Sequence, residues 1–106
     1  MKSASVHALQ EELATHAGDQ SYDFINVCTP AEYAAEHIDG VRSVPLDEIQ
    51  ARAGEFADKK KVYVHCRSGG RSRMAIQTLE SLGVKAELVN VEGGIMAWAG
   101  AGFKTK

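Results

Sequence analysis

Two patterns of hydrophobic and polar positions alternate along the chain. Short runs of apolar, mostly β-branched and aromatic residues predict strands at 22–27, 41–44, 61–64 and 86–89, with a short edge strand at 2–5. Segments with apolar residues three to four positions apart predict helices at 6–17, 30–36, 45–54, 73–82 and 95–99. Strands that alternate with helices predict an α/β fold, in which a parallel sheet of about five strands is covered by helices on both faces.

Residues at the predicted helix ends support these boundaries. Ser5 is expected to cap the first helix. Thr29 and Glu32 form the pattern of a capping box, and Pro30 between them suits the first helical position. Gly83 is a typical stop after the helix at 73–82. Because the 106 residues contain no internal repeat or linker, we expect one domain over residues 1–106.

The stretch that carries most chemistry follows the strand at 61–64 and reads His65-Cys66-Arg67-Ser68-Gly69-Gly70-Arg71-Ser72. Backbone N–H groups at a helix start lack partners and carry a partial positive charge. Gly69 and Gly70 allow the backbone to curl, so that several N–H groups converge on one point. With Arg67 and Arg71, these groups are expected to lower the pKa of Cys66 and to bind an anion beside its thiolate. The alternative is an inert, buried cysteine in an ordinary turn.

Three stretches of the chain resemble the rhodanese (thiosulfate sulfurtransferase) family. The loop that opens at Cys66 is similar to the six-residue active-site loop of that family. Residues 32–41, EYAAEHIDGV, look like its E-Y-x-x-x-H-I-P-G-A signature, and residues 90–98, NVEGGIMAW, match its closing L-x-G-G-I-x-x-W pattern. These motifs occur in the expected order over nearly the whole chain, which is therefore identified as a member of the family.

The resemblance implies a strand order of 1-5-4-2-3 and a sulfurtransferase activity. The Cys66 thiolate would take the sulfane sulfur of thiosulfate or a persulfide donor, and the Cys66 persulfide would pass it to cyanide, a thiol or an acceptor protein. The residues expected to bind the small anionic donor complete the loop: Arg67, Ser68, Gly69, Gly70, Arg71 and Ser72. Arg71 is expected to contribute more than Arg67, because it lies where the loop meets the helix. Ser72 is a candidate cap for that helix.

Composition and charge argue against several other classes of function. A net charge of −2 and an isoelectric point near 6.1 argue against nucleic acid or an acidic membrane as a partner. No stretch is apolar enough to predict a secretory signal or a membrane span. The two cysteines form neither a disulfide framework nor a zinc pattern, so no metal and no cofactor are expected. A reducing, cytoplasmic setting is the default expectation, and it suits a reactive thiol.

Two other functions stay open at this point. Cysteine phosphatases and arsenate reductases also hold a thiolate in an anion-binding loop, and residues 65–72 resemble the phosphatase signature H-C-x-x-G-x-x-R-S. That signature has five residues between cysteine and arginine, whereas four separate Cys66 from Arg71, so the spacing favours sulfur chemistry. The other alternative is a rhodanese fold without turnover, which acts as a sulfur carrier or a regulatory binding module.

The chain departs from the family pattern at the end of its second strand. Where family members usually carry Asp-x-Arg, this chain has Asn26-Val27-Cys28. In the family's strand order, that strand lies beside the one that ends at Cys66, and neighbouring strands are about 4.8 Å apart. Cys28 is therefore a candidate resolving thiol, which would attack the Cys66 persulfide to form a disulfide and release sulfide. The alternative is that Cys28 is a small buried filler.

Overall fold

A computed structural model describes residues 1–106 as an α/β domain. Its five strands are β1 (Lys2–Ala4), β2 (Tyr22–Asn26), β3 (Arg42–Ser43), β4 (Lys61–His65) and β5 (Glu87–Val91). Its four α-helices are α1 (Val6–His16), α2 (Pro30–Ala35), α3 (Gly70–Ser81) and α4 (Gly94–Gly100). The fold class predicted from the alternating patterns is confirmed. No helix combines the length and the apolar character needed to cross a membrane.

All strands run parallel in a single sheet with the order β1-β5-β4-β2-β3. This is the order implied by the family resemblance. The central strand β4 pairs with β2 on one side and β5 on the other, so that Val64 lies opposite both Ile25 and Asn90. Because the strands are parallel, their carboxyl ends meet at one edge of the sheet, where open α/β sheets bind ligands. At this edge Asn26 lies opposite His65.

Alternate residues of the strands supply two separate cores, one on each face of the sheet. On one face, Val62 and Val64 belong to a buried cluster with Ile76 and Leu79 of α3. On the other face, a second cluster combines strand residues with side chains of α1 and α4. Trp98 of α4 belongs to this second cluster and is 6% exposed. Burial on both faces explains the nearly continuous apolar runs of the central strands.

The helix caps form as the sequence predicts. The Ser5 side chain accepts a hydrogen bond from the Ala8 N–H at 3.1 Å. In the capping box of α2, the Glu32 N–H donates to Thr29 Oγ1 and the Thr29 N–H donates to Glu32 Oε1. Gly83 adopts a φ of +80°, which ends the helical segment of α3. These caps fix the direction in which α1 and α2 leave the sheet.

The helix predicted at 45–54 is wrong. The segment forms two short 3-10 helices instead, Leu46–Glu48 and Ala53–Phe56. Neither has a side-chain cap, and Gly54 lies inside the second, which weakens the preference for a continuous α-helix. The buried side chains of Ile49 and Phe56, both 0% exposed, fix the path of the chain here.

Candidate active site

Cys66 lies directly after β4, at the start of a tight loop that leads into α3. The side chain is buried, with 1% of the residue exposed. Its Sγ accepts a hydrogen bond from the Gly69 N–H at 3.0 Å. Gly69 has a φ of +122°, a conformation that strongly favours glycine, and it turns the backbone N–H back toward the sulfur. The loop thus holds the sulfur with its own main chain.

Ser72 is a second polar neighbour of the sulfur. Helix α3 begins at Gly70, three residues earlier than predicted, and Gly69 is its N-cap residue. Ser72 therefore lies in the first turn and does not cap the helix. Its Oγ is 3.5 Å from Cys66 Sγ and 2.9 Å from the Gly69 carbonyl oxygen, and it donates to Asn90 Oδ1. Because the hydroxyl carries one proton and reaches three acceptors, it can turn toward the sulfur when Cys66 is ionised.

Opposing effects determine the pKa of Cys66. Burial raises the pKa, because an apolar environment disfavours the thiolate. Hydrogen bonds from the Ser72 side chain and from the backbone of Ser72, Gly69 and Ser68 lower it. The hydrogen bonds outweigh burial, so the pKa of Cys66 lies below that of an ordinary cysteine thiol. A larger thiolate fraction near neutral pH follows, and the thiolate is the nucleophilic form.

The N-terminus of α4 packs directly on the backbone of the loop. The N–H of Ile95 donates to the Cys66 carbonyl oxygen at 3.0 Å, and the N–H of Met96 donates to that of Arg67 at 3.1 Å. This close approach requires glycine at position 94, since a Cβ there would lie only 2.7 Å from the Arg67 carbonyl oxygen. Gly94 also has a φ of +56°. Glycine at position 94, the first residue of α4, thus allows the helix to approach the loop and hydrogen-bond to its backbone.

His65 supports the loop from the other side of Cys66. The imidazole is 2% exposed, and its Nδ1 lies 2.9 Å from the Cys66 carbonyl oxygen. Because a carbonyl only accepts, Nδ1 carries the proton. Burial lowers the pKa of His65, which keeps the ring neutral. The side chain therefore orients the backbone of Cys66.

The guanidinium of Arg71 binds Glu32 of α2. Its two terminal nitrogens donate to the two carboxylate oxygens of Glu32 at 2.7 and 3.0 Å. The hydrogen bond from Arg71 lowers the pKa of Glu32 to about 2, so the pair stays ionised throughout the physiological range. This ion pair joins α2 to the start of α3. The same ion pair engages the guanidinium of Arg71, the arginine that the sequence predicts to contribute most to donor binding.

Arg67 is exposed, and its guanidinium has no hydrogen bond or ion pair in the structure. It lines a cavity of about 150 Å³ at the carboxyl edge of the sheet. The other residues of this lining come from β2 and the segments after it and from the start of α4: Asn26, Cys28, Glu32, Ala35, Glu36 and Ile95. The volume suits a ligand of a few heavy atoms, since cavities for drug-sized ligands begin at about 300 Å³. Arg67 is therefore the arginine available to such a ligand.

Cys28 lies in the same cavity lining, at the bend that follows β2. Asn26 creates this bend, because its Oδ1 accepts a hydrogen bond from the Cys28 N–H at 2.8 Å. The Cys28 sulfur is 3.8 Å from an Arg71 nitrogen. Cys28 is 3% exposed, and it belongs to the same buried cluster as Cys66. Both cysteines are free thiols.

The structure brings some of the sequence candidates together and separates others. Gly69 and Ser72 contact the Cys66 sulfur directly, and the backbone of the exposed Ser68 helps to lower its pKa, whereas Gly70 begins α3. Sequence reasoning did not assign roles at the site to Glu32, Gly94 or Asn90. Glu32 carried a signal as part of a capping box and of the family-like segment 32–41, and Gly94 as one of the two adjacent glycines in the family-like segment 90–98. Asn90 gave no signal, because a polar residue inside a strand is not distinctive.

Comparisons with known proteins identify relatives in sequence and in fold. Among curated proteins, YrkF of Bacillus subtilis (strain 168), named for a proposed role as a sulfur carrier, is 38% identical over 82 residues, covering 77% of this chain and 44% of YrkF. A sulfurtransferase of Allochromatium vinosum is 36% identical over 79 residues, covering 74% of this chain and 73% of that protein. The crystal structure of a thiosulfate sulfurtransferase from Pseudomonas aeruginosa has a TM-score of 0.87 at 25% identity, covering 100% of this chain and 20% of that one.

This chain spans about half the length of several curated relatives that it matches. A family model described as the rhodanese-like domain matches residues 9–101, which include every residue placed above in the Cys66 loop and its supports. The chain therefore belongs to the rhodanese-like domain family.

Proposed function

We propose that this protein is a sulfurtransferase that carries sulfur as a Cys66 persulfide. The observation that supports this most directly is the sulfur of Cys66, which accepts the Gly69 N–H at 3.0 Å within a loop that lowers its pKa. A thiolate of this kind is a good nucleophile for sulfane sulfur and a good acceptor of backbone hydrogen bonds. The sulfurtransferase names of relatives support the same reaction class.

In the first half-reaction, the Cys66 thiolate attacks the outer sulfur of thiosulfate or of a persulfide donor. A bond forms between Cys66 Sγ and that sulfur, while the bond to the rest of the donor breaks. Sulfite or a thiolate leaves with the bonding electron pair. Arg67 binds the anionic end of the donor from the cavity side, and the backbone N–H groups of the loop stabilise the charge on sulfur.

In the second half-reaction, a nucleophile removes the outer sulfur and regenerates the Cys66 thiolate. Cyanide serves in the test tube, and a thiol or an acceptor protein serves in the cell. The exposed rim formed by Arg67 and Ser68 gives such an acceptor access to the loop. Because product leaves before the acceptor reacts, ping-pong kinetics are expected. A reducing compartment such as the cytoplasm suits this cycle, since both cysteines are free thiols.

The charges around the cavity bear on the choice of donor. Glu36 lies in the cavity lining, and the negative charge of Glu32 is balanced by Arg71. When the positive charge of Arg67 is counted, the cavity is close to neutral overall and offers little long-range attraction to a dianion. We propose that a singly charged persulfide donor is used at least as well as thiosulfate.

The rival phosphatase activity has less support. A phosphatase arginine would need to reach the bound phosphoryl group, whereas the guanidinium of Arg71 is held by both carboxylate oxygens of Glu32. A role as a sulfur carrier is compatible with the same persulfide and differs only in the acceptor. The name of YrkF favours this as a second candidate.

Turnover by the purified protein tests the proposal. Wild-type protein should convert thiosulfate and cyanide into thiocyanate, and cysteine persulfide, a singly charged donor, should react at a comparable or greater rate. Hydrolysis of an aryl phosphate should be absent. Failure with both sulfur donors would contradict an enzyme function, and phosphate hydrolysis without sulfur transfer would favour the phosphatase alternative.

Replacement of Arg67 tests which arginine binds the donor. Arg67→Ala should raise the KM for thiosulfate by roughly tenfold or more, because a charge-assisted hydrogen bond contributes about 1.5–3 kcal/mol. Arg71→Ala should raise it less, since Arg71 already binds Glu32, which reverses the order expected from the sequence. Arg73→Ala is the matched control, as Arg73 is exposed and contacts only Glu92. A larger effect from Arg71→Ala would mean that Arg71 leaves Glu32 to bind the donor.

The pH dependence of persulfide formation tests the role of Ser72. Its hydrogen bond stabilises the thiolate and lowers the pKa of Cys66. Ser72→Ala should therefore raise that pKa and move the rising limb of the rate–pH profile to higher pH, while the plateau at high pH changes less. Ser81→Ala, an exposed serine near the end of the same helix, should leave the profile in place. An unshifted profile for Ser72→Ala would show that the hydroxyl does not act on the thiolate.

A further inference from the structure

The two cysteines follow adjacent, paired strands. Strands β2 and β4 are in register as far as Asn26 and His65, and the N–H of Val27 extends the pairing to the His65 carbonyl oxygen at 2.9 Å. Cys66 is the residue after His65, and Cys28 is the residue after Val27. A strand spacing of about 4.8 Å and a rise of about 3.3 Å per residue bring their backbones close to the range that native disulfides span.

The chain also turns Cys28 toward the side of the sheet on which Cys66 lies. In a continuing strand, successive side chains would point to opposite faces. The hydrogen bond from the Cys28 N–H to Asn26 Oδ1 ends the strand with a bend. As a result, Cys28 packs in the same buried cluster as Cys66. It also contacts Arg71, which lies in the first turn of the helix that follows the Cys66 loop.

The charged and titratable groups around Cys28 have opposing effects on its thiolate. Burial raises the pKa of Cys28, and so do the nearby Glu32 and Cys66. Arg71, whose guanidinium is in contact with the sulfur, lowers it, as does Arg67. The effect of burial is larger than that of the arginines, so the pKa of Cys28 lies above that of an ordinary thiol. At neutral pH Cys28 is mostly protonated and only a small fraction is ready to attack.

From this arrangement we infer that Cys28 is a resolving thiol, which discharges the Cys66 persulfide when no acceptor removes the sulfur. The inference rests on the proposed function, since it needs the persulfide. The Cys28 thiolate attacks Cys66 Sγ, a Cys28–Cys66 disulfide forms, and the bond from Cys66 to the outer sulfur breaks. That sulfur leaves as hydrosulfide with the electron pair and the persulfide proton. The sulfane sulfur is itself the oxidant, so no other oxidant takes part.

Because the pKa of Cys28 is raised, we expect its attack on the persulfide to be slower than transfer of the sulfur to an acceptor. While an acceptor is present, it takes the sulfur before the small thiolate fraction of Cys28 reacts. Without an acceptor, the protein releases sulfide and stops in the disulfide form until a thiol reduces it. Because the step needs both the Cys28 thiolate and the protonated persulfide, sulfide release should rise with pH only up to the pKa of the persulfide and then level off.

The test starts from protein that has been loaded with thiosulfate and freed of donor under anaerobic conditions. Intact mass first measures the added sulfur atom, and the protein is then incubated without acceptor. Wild type should lose this sulfur as hydrosulfide, in an amount equal to the disulfide formed. Non-reducing peptide mapping should show the Cys28–Cys66 crosslink. Cys28→Ser and Cys28→Ala should load but keep the sulfur at least about tenfold longer.

Each remaining outcome overturns the inference in a distinguishable way. If the protein does not load, the proposed function fails and the resolving step fails with it. If it loads but the variants and wild type lose sulfur at the same rate, only the resolving step fails. A persulfide mapped to Cys28 without a crosslink would mean that sulfur is relayed to Cys28. A crosslink in anaerobic, unloaded protein would mean that it does not arise from the persulfide.

Discussion

Replacing Cys66 with serine is expected to reduce the conversion of thiosulfate and cyanide into thiocyanate by roughly three orders of magnitude or more. A serine hydroxyl can accept the Gly69 N–H in place of the thiolate, so the loop should keep its shape. It is not ionised at neutral pH and forms no persulfide, so neither half-reaction has a nucleophile. The measurement is the steady-state rate at saturating donor and acceptor.

The loss must be separated from misfolding, because Cys66 is buried. Thermal unfolding of Cys66→Ser and of Cys66→Ala should show cooperative transitions like that of wild type. Substantial thiocyanate formation by either folded variant would mean that another residue carries the sulfur. If Cys66→Ser loses both its activity and its folded state, the deciding measurement is the activity of Cys66→Ala at a temperature at which that variant is folded.

The second large effect is expected from Gly94→Ala. A methyl group at this position would collide with the carbonyl oxygens of Cys66 and Arg67, and the φ of +56° is strained for alanine. The N-terminus of α4 would have to move away from the loop, which breaks the hydrogen bonds from Ile95 and Met96. We expect the free energy of unfolding to fall by about 2–4 kcal/mol, since strain at a positive φ and two weakened hydrogen bonds add up. Denaturant titration measures this change.

Activity should fall as well, because the same hydrogen bonds set the position of the Cys66 backbone. A matched control is Gly100→Ala at the end of α4, where a Cβ meets open space and φ is not positive. This change should leave activity unaltered and stability within about 0.5 kcal/mol of wild type. If Gly94→Ala behaves like Gly100→Ala, the close packing of α4 on the loop is not needed to hold it.

The parts of the fold that were predictable from the sequence have strong local causes. The apolar runs predict the strands because burial on both faces of a parallel sheet leaves few polar positions. Ser5 and Thr29 mark helix starts because the free N–H groups of a first helical turn need a side-chain oxygen as acceptor. The position of Cys66 follows in the same way, since a strand, two glycines and a helix leave it at the edge of the sheet.

The parts that were not predictable depend on contacts between residues far apart in sequence. Nothing around Arg71 indicates that it binds Glu32, 39 positions earlier, because α2 and α3 come together only in the folded sheet. The network from Cys66 through Ser72 to Asn90 likewise joins a loop, a helix and a strand. The two 3-10 helices after β3 form where burial of Ile49 and Phe56 overrides helical spacing. Local patterns therefore predict the nucleophile, but not which charged side chains are free to bind the donor beside it.

The central claim is that Cys66 itself carries the transferred sulfur. Intact-mass measurement of the wild-type protein after brief incubation with thiosulfate, with the modified peptide then identified, tests it most directly. The account predicts a gain of one sulfur atom located on Cys66, which cyanide removes and which Cys66→Ser never acquires. Active protein that turns over thiosulfate without any added sulfur, or with the sulfur on another residue, would contradict it.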